Sequence, residues 1–248
     1  MLSRLLGPLE RCFYRLAGID PTAGMGWRGY ATALLILSAG HFLLLYAMLR
    51  LQACMPFNPQ GMAGLSPWLA FNTAISFVTN TNWQAYSGEV TLSYGTQMLG
   101  LTVHNFLSAA TGIAAAAAIA RAFAGGGVDR FGNFWSDLTR VTLYVLVPLA
   151  VIFGLVLIAL GVPQTLAPYA GAETLEGARQ TIALGPVAFQ DAIKLFGTNG
   201  GGFFNANSAH PLENPSALSC ILQIWALAAI AFALPITFGR IVGDERQG

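Results

Sequence analysis

Two polar stretches carry the residue types best able to do chemistry in this chain. One is Gly197-Thr198-Asn199-Gly200-Gly201-Gly202-Phe203-Phe204-Asn205-Ala206-Asn207-Ser208, the other Thr79-Asn80-Thr81-Asn82-Trp83-Gln84. Neither carries a formal charge, and both interrupt apolar sequence. Lipid offers bare backbone no hydrogen bonds, so non-helical backbone at membrane depth survives only where protein surrounds it or water and ions reach it. Consecutive glycines reach positive φ, which lets successive carbonyls turn toward one axis. A row of inward carbonyl oxygens can replace the hydration shell of a potassium ion. Thr79, Asn80, Thr81 and Asn82 are the candidate oxygen donors of one stretch; Thr198, Asn199, Gly200 and Gly201 are those of the other. Gln84 and Asn205 are candidates for the outer approach. Trp83, Phe203 and Phe204 are candidates for an aromatic cuff around the path, with interfacial anchoring an equal alternative for Trp83. Uncharged oxygens suit a weakly hydrated monovalent cation, whereas a ring of carboxylates points to a general cation or divalent site. The plainer alternative is a pair of flexible polar loops, the commonest fate of such composition.

Other chemistry is scarce. No Gly-Lys-Ser/Thr follows the glycine run, so it is no phosphate loop, and no Gly-x-Ser-x-Gly elbow occurs. His41, His104 and His210 have no carboxylate or cysteine at metal-ligand spacing. Cys12, Cys54 and Cys220 are isolated and odd in number, and read as small apolar residues without a disulfide framework. No catalytic centre and no organic cofactor are expected. His41 reads as a neutral imidazole bonded to a neighbouring helix, and Lys194 as the i,i+3 partner of Asp191.

The elements that must position these stretches are membrane helices. Of 248 residues, 55% are hydrophobic and only 9% charged, against about 25% charged in a soluble domain. A formal net charge of +1 argues against nucleic acid as a partner and leaves membrane lipid as the surrounding phase. Arg4, Arg11 and Arg15 break any signal-peptide core. Leu2, Leu5, Leu6, Leu9, Phe13 and Leu16 recur at helical spacing and predict a short helix lying in the headgroup layer or covering cytoplasmic loops.

Full spans are expected over 29–49, 91–123, 141–162 and 216–238, the third kinked at Pro148. Ala114–Ala118 suggests close helix packing. Two segments are too short to span: Trp68–Val78, opened by Pro67, and Val187–Phe196. Each runs into one of the polar stretches and fits a re-entrant helix. Outer loops are expected over 52–66 and 163–184, and a flexible turn at Gly125-Gly126-Gly127.

The halves resemble each other. Phe71-Asn72-Thr73-Ala74-Ile75 matches Phe189-Gln190-Asp191-Ala192-Ile193, and Thr79-Asn80 is paired by letters with Thr198-Asn199. That is a parallel internal repeat of span, pore helix, filter and span. The expected fold class is an all-α integral membrane protein of two tandem channel-like units, which the family resemblance given below makes half of a four-repeat channel-like fold. Its divisions are a cytoplasmic or interfacial segment over 1–28, a first repeat over 29–123, a cytoplasmic linker over 124–140, a second repeat over 141–239 and a tail over 240–248. Basic residues set orientation. Arg4, Arg11, Arg15, Arg28, Arg121, Arg130, Arg140, Arg240 and Arg246 fall on segments read as inner, against Arg50, Arg179 and Lys194 on the outer side. Glu89, Glu173, Glu176, Asp191 and Glu213 would make the outer mouth mildly negative.

The strings Ser76–Glu89, Gly197–Pro211, Asn105–Ile113 and Gly132–Arg140 together resemble the KdpA family, the potassium-binding, channel-like subunit of the bacterial Kdp potassium-transporting ATPase. The resemblance covers nearly the whole chain. It implies a potassium filter near the outside built from the donors named above, multi-pass residence in the bacterial inner membrane with a cytoplasmic N-terminus, and high-affinity uptake driven by ATP hydrolysed in the partner KdpB. It also implies the partners KdpC and KdpF. Family chains are about twice as long, with four units, so a complete filter here requires a separate second half or another copy. A non-conducting scaffold or an inactive half-length fragment is the alternative. His104 stands where the family resemblance leads one to expect glutamine.

Overall fold

The computed structural model describes residues 2–125 and 131–248; Gly126, Gly127 and Arg130, read above as turn and inner charge, lie outside them. Four helices are long and apolar enough to cross a membrane: α2 (Trp27–Leu51, continued to Cys54 by a 3-10 turn), α4 (Thr96–Phe123), α5 (Phe134–Ala159) and α7 (Ala217–Val242). Leu35, Ile36 and Leu43 on α2, and Ile221, Ile224 and Phe232 on α7, point outward and exposed. That is the reverse of a soluble protein and the normal state of a helix solvated by lipid. The chain is a helical membrane protein.

Two spans start elsewhere than expected. α4 begins at Thr96, because a helical turn at Gly88–Thr91 ends before it. α5 begins at Phe134, inside the stretch read as linker, since Asn133 accepts from the Ser136 amide and starts the helix. α5 stays continuous through Pro148. The segment Val141–Leu146 just before it is π-helical, a wider turn that accommodates the missing N–H and the ring. α7 runs past Phe238 to Val242 and closes on Gly243 at φ 82°.

The two short helices are α3 (Pro67–Val78) and α6 (Val187–Phe196), about 18 and 15 Å long at the α-helical rise, against about 30 Å of hydrocarbon. α3 starts on Ser66, whose hydroxyl accepts from the Leu69 amide, with Pro67 in the first turn. α6 has no side-chain cap of its own. The Pro163 carbonyl instead accepts from the amides of Val187 and Ala188, and the Gln164 side chain from Phe189. Every residue of α6 except Phe189 is buried, packed between α5 and α7. Phe189 lies across Gly154 of α5, where a side chain would collide with its ring.

The helical architecture carries one addition. The outer excursion holds an antiparallel hairpin, β1 (Ala170–Glu173) with β2 (Arg179–Ile182), Glu173 opposite Arg179. Tyr169 pins it by donating to the Glu89 carbonyl at 2.6 Å. At the opposite end, α1 (Leu2–Ala17) docks on the start of α5. Glu10 accepts from Tyr14, Arg140 and Tyr144 at 2.8, 2.8 and 2.6 Å, while Leu5, Phe13 and Leu16 stay exposed. Cys12 and Cys54 are exposed rather than packed as small apolar residues.

Candidate ion-binding site

The segment after each short helix unwinds in the same way. Thr79 N–H bonds back to Ile75 and Gly197 N–H to Ile193. The Ser76 carbonyl takes the amides of both Thr81 and Asn82; the Lys194 carbonyl takes those of Asn199 and Gly200. Asn80 and Asn82 are left-handed at φ 62° and 53°, and so are Thr198 and Gly200 at 51° and 73°. Asn80 therefore matches Thr198, and Asn82 matches Gly200.

This corrects the pairing made by letters. The helix match continues at an unchanged spacing of 118 residues, as in the contacts of Asn82 with Gly200 and Gln84 with Gly202. Thr79 then matches Gly197, not Thr198. Two Thr-Asn pairs one residue out of register are coincidence, and glycine's freedom lets the second copy keep the backbone without the letters. Left-handed backbone is strained for a β-branched residue such as Thr198. Strain of this kind persists only where the surroundings over-determine it.

Those surroundings are a ladder of amides. Asn199 Nδ2 donates to Asn80 Oδ1 at 2.7 Å and to the Asn105 carbonyl at 2.8 Å. Asn82 Nδ2 donates to Asn105 Oδ1 at 2.6 Å and to the Gly200 carbonyl at 3.0 Å. Ser108 Oγ donates to Asn80 Oδ1 at 2.8 Å. Gln84 Nε2 reaches the Gly202 carbonyl at 3.0 Å, and its Oε1 accepts from Asn207. The two segments thus lie against each other and against α4. Asn105 and Ser108, which hold both, were not among the sequence candidates. The signal was available: two polar residues at i,i+3 spacing inside an apolar span.

The ladder also divides labour among the predicted donors. The side chains of Asn80, Asn82 and Asn199 are engaged with protein, so they serve as struts. Among the described residues, the main-chain carbonyls of Thr79, Asn80, Thr81, Asn82, Thr198, Asn199 and Gly201 receive no protein hydrogen bond, whereas that of Gly200 accepts from Asn82. Seven unpaired carbonyls are seven lone-pair donors available to water or a cation. The negative ends of the α3 and α6 dipoles face the same segments, which favours a cation. Gln84 is a half-buried strap; Asn205 is exposed, its amide bonded to Glu89.

Behind the second segment, Phe203 and Phe204 are fully buried and meet edge to face, centroids 5.0 Å apart, with the His210 ring stacked on Phe204. Trp83 is half-exposed, its indole bonded to Asn72. The mouth is less acidic than expected. Asp191 and Glu213 are buried and both contact Lys194, Asp191 at 2.8 Å, so they leave the surface count together. His104 points both ring nitrogens at carbonyls, those of Gly100 at 2.7 Å and His41 at 3.1 Å. Through the His41 carbonyl it faces α2. The His41 ring meets His104 edge to face at 5.2 Å, so its contact with the neighbouring helix runs through that ring face and its own carbonyl instead of an imidazole hydrogen bond.

The profile of the KdpA family, described as the potassium-transporting ATPase A subunit, matches residues 1–248. The chain belongs to this family. Among similar KdpA proteins, each named potassium-transporting ATPase potassium-binding subunit, that of Allorhizobium ampelinum is 59% identical over 247 residues and that of Methylobacterium nodulans 60% over 248. That of Brucella anthropi is 59% identical over 248. All of this chain is covered in each case, but only 43%, 43% and 44% of the relatives. The chain spans less than half the length of the curated KdpA relatives it matches.

Proposed function

We propose that this chain forms the first two of four walls of a potassium filter, and binds and passes potassium as part of the potassium-binding subunit of an ATP-driven uptake complex. The carrying observation is the pair of equivalent unwound segments, each at the end of a short helix, in which seven of the eight named donors have a main-chain carbonyl without a protein partner and Gly200 accepts from Asn82. The relatives are named potassium-binding subunits of a potassium-transporting ATPase, which supports potassium as the ion and an ATPase complex as the setting.

On this reading the donors are Thr79, Asn80, Thr81 and Asn82 in one wall and Thr198, Asn199, Gly200 and Gly201 in the other, acting through main-chain oxygen. Gly197 joins them by register. Gln84 and Asn205 shape the approach. The repeats divide as 29–123 and 141–239, with 1–28, 124–140 and 240–248 on the cytoplasmic side of the bacterial inner membrane. The remaining walls come from a second half or another copy. KdpB hydrolyses ATP, with KdpC and KdpF completing the complex, and this chain holds no catalytic centre.

Substitution at Gly200 and Gly201 tests the assignment. The left-handed φ of 73° and 71° penalises any L-residue by about 1–2 kcal/mol. Gly200→Ala therefore lowers apparent potassium affinity about tenfold in the complete complex. Gly201→Ala costs more, because its added carbon also meets Phe77 at 2.9 Å and Asn82 at 3.0 Å. A scaffold would assemble and lose nothing. Unchanged affinity in both variants overturns the filter assignment.

A further inference from the structure

The second wall is backed by an ion cluster that the first lacks. Lys194 is buried on α6, its Nζ 2.8 Å from Asp191 Oδ1 and in contact with Glu213 Oε2. Asp191, Lys194 and Glu213 are exposed by 1%, 2% and 0%. Glu213 Oε1 accepts from the Phe204 amide at 3.0 Å, and Gln223 of α7 donates to Asp191 Oδ2 and to the Glu213 carbonyl. A side-chain carbon at Gly202 would lie 2.5 Å from Glu213 Oε1 and 2.7 Å from Lys194 Nζ. The cluster thus lies directly behind the backbone that follows Gly200 and Gly201, and the Lys194 carbonyl itself holds the amides of Asn199 and Gly200. At the matching positions the first wall has Thr73 and Ser76, both buried and neutral.

Two carboxylates share one ammonium, and among the described residues no second cationic side chain pairs with either. One formal negative charge is left over in a dry interior. Burying unbalanced charge is costly, and the cost falls when an opposite charge sits nearby. Resting on the filter reading above, we infer that Glu213 and Asp191 are affinity-setting residues for the potassium ion: the bound cation balances the excess charge of this cluster through the thin wall of Gly200–Gly202. They are positioning and field residues, touching no ion.

The test uses the complete complex and measures apparent affinity, maximal rate and the ratio of potassium to rubidium affinity. A charge acting through the wall is blind to cation size. Glu213→Gln should lower both affinities by the same factor, at least tenfold for one unit charge within about 12 Å of the ion at an effective dielectric near 20, with maximal rate retained. Glu213→Asp, which keeps the charge, should recover most of the loss. Asp191→Asn removes the same charge while leaving the Glu213 bond to Phe204, and serves if Glu213→Gln fails to assemble. It too must weaken both affinities equally. Unchanged affinity in Asp191→Asn, as when a proton balances the pair, overturns the inference; so does a changed ion ratio, the mark of a distorted wall. Gly200→Ala separates the two readings. If it weakens binding while the carboxylate variants do not, only the cluster inference falls. If neither it nor Gly201→Ala has any effect, the filter assignment falls and takes this inference with it.

Discussion

At the scale of residues, the candidate site combines side chains that hold with main-chain carbonyls left free of protein partners. Asn105 supports both segments at once, through its carbonyl to Asn199 and its Oδ1 to Asn82. Asn105→Ala keeps the carbonyl but removes the strut, and leaves Asn82 short of a buried partner. A lost buried hydrogen bond costs about 1–3 kcal/mol, so potassium affinity in the complete complex should fall by about tenfold or more with assembly intact, as read by size-exclusion chromatography. Gln84→Arg introduces a cation beside the Gly202 carbonyl and breaks the strap, and weakens potassium binding; an unchanged affinity would place Gln84 away from the path. Much of this was legible in the letters. Glycine and asparagine announced left-handed backbone, and an uncharged polar run inside apolar sequence announced an occupied interior. The register was not legible, because the second copy conserves φ and not residue type. Glu213 was misread for a related reason: a loop position nineteen residues from its partner Lys194 says nothing about burial, while Asp191 and Lys194 declared their pairing by helical spacing.

At the scale of elements, helix existence was plain and helix ends were less so. α3 and α6 came out within a residue of expectation because Ser66-Pro67 and Gly185-Pro186 are strong punctuation. α4 and α5 started elsewhere because apolar content does not distinguish a turn at Gly88–Thr91 from a span, nor a charged first turn at Phe134–Arg140 from a linker. The caps carry measurable weight. Ser66→Ala loses the bond from the Leu69 amide, and Ser216→Ala loses the bond from the Ser219 amide while the Ser216 amide keeps its bond to Ser219 Oγ. Each should lower stability by about 1 kcal/mol, as a fall in the detergent melting midpoint. α1 gives a pH-dependent case. Burial raises the Glu10 carboxyl, but bonds from Tyr144, Arg140 and Tyr14 outweigh it and leave its pKa below the ordinary value. A carboxylate lowered in the folded state adds stability at neutral pH that is lost as pH falls through the folded value. Hydrogen exchange over Leu2–Ala17 should therefore accelerate in acid, and Glu10→Gln should show the faster exchange already at neutral pH.

At the scale of the molecule, the basic residues propose an orientation that two native cysteines can report. Cys12 on α1 and Cys54 beyond α2 are both exposed and separated by a span. A membrane-impermeant maleimide applied to intact cells should modify Cys54 and spare Cys12; the reverse pattern would invert the topology. The 118-residue correspondence between the segments has a further consequence. Both copies lie in one chain, and over 79–84 and 197–202 they differ at every matched position, asparagine against threonine, asparagine against glycine. Where identical subunits surround a pore, one codon change repeats itself around the axis and its effects multiply. On the proposed reading of the two segments as separate walls, each codon addresses a single quadrant, so one side of an ion's coordination shell can be adjusted while its opposite side stays as it was.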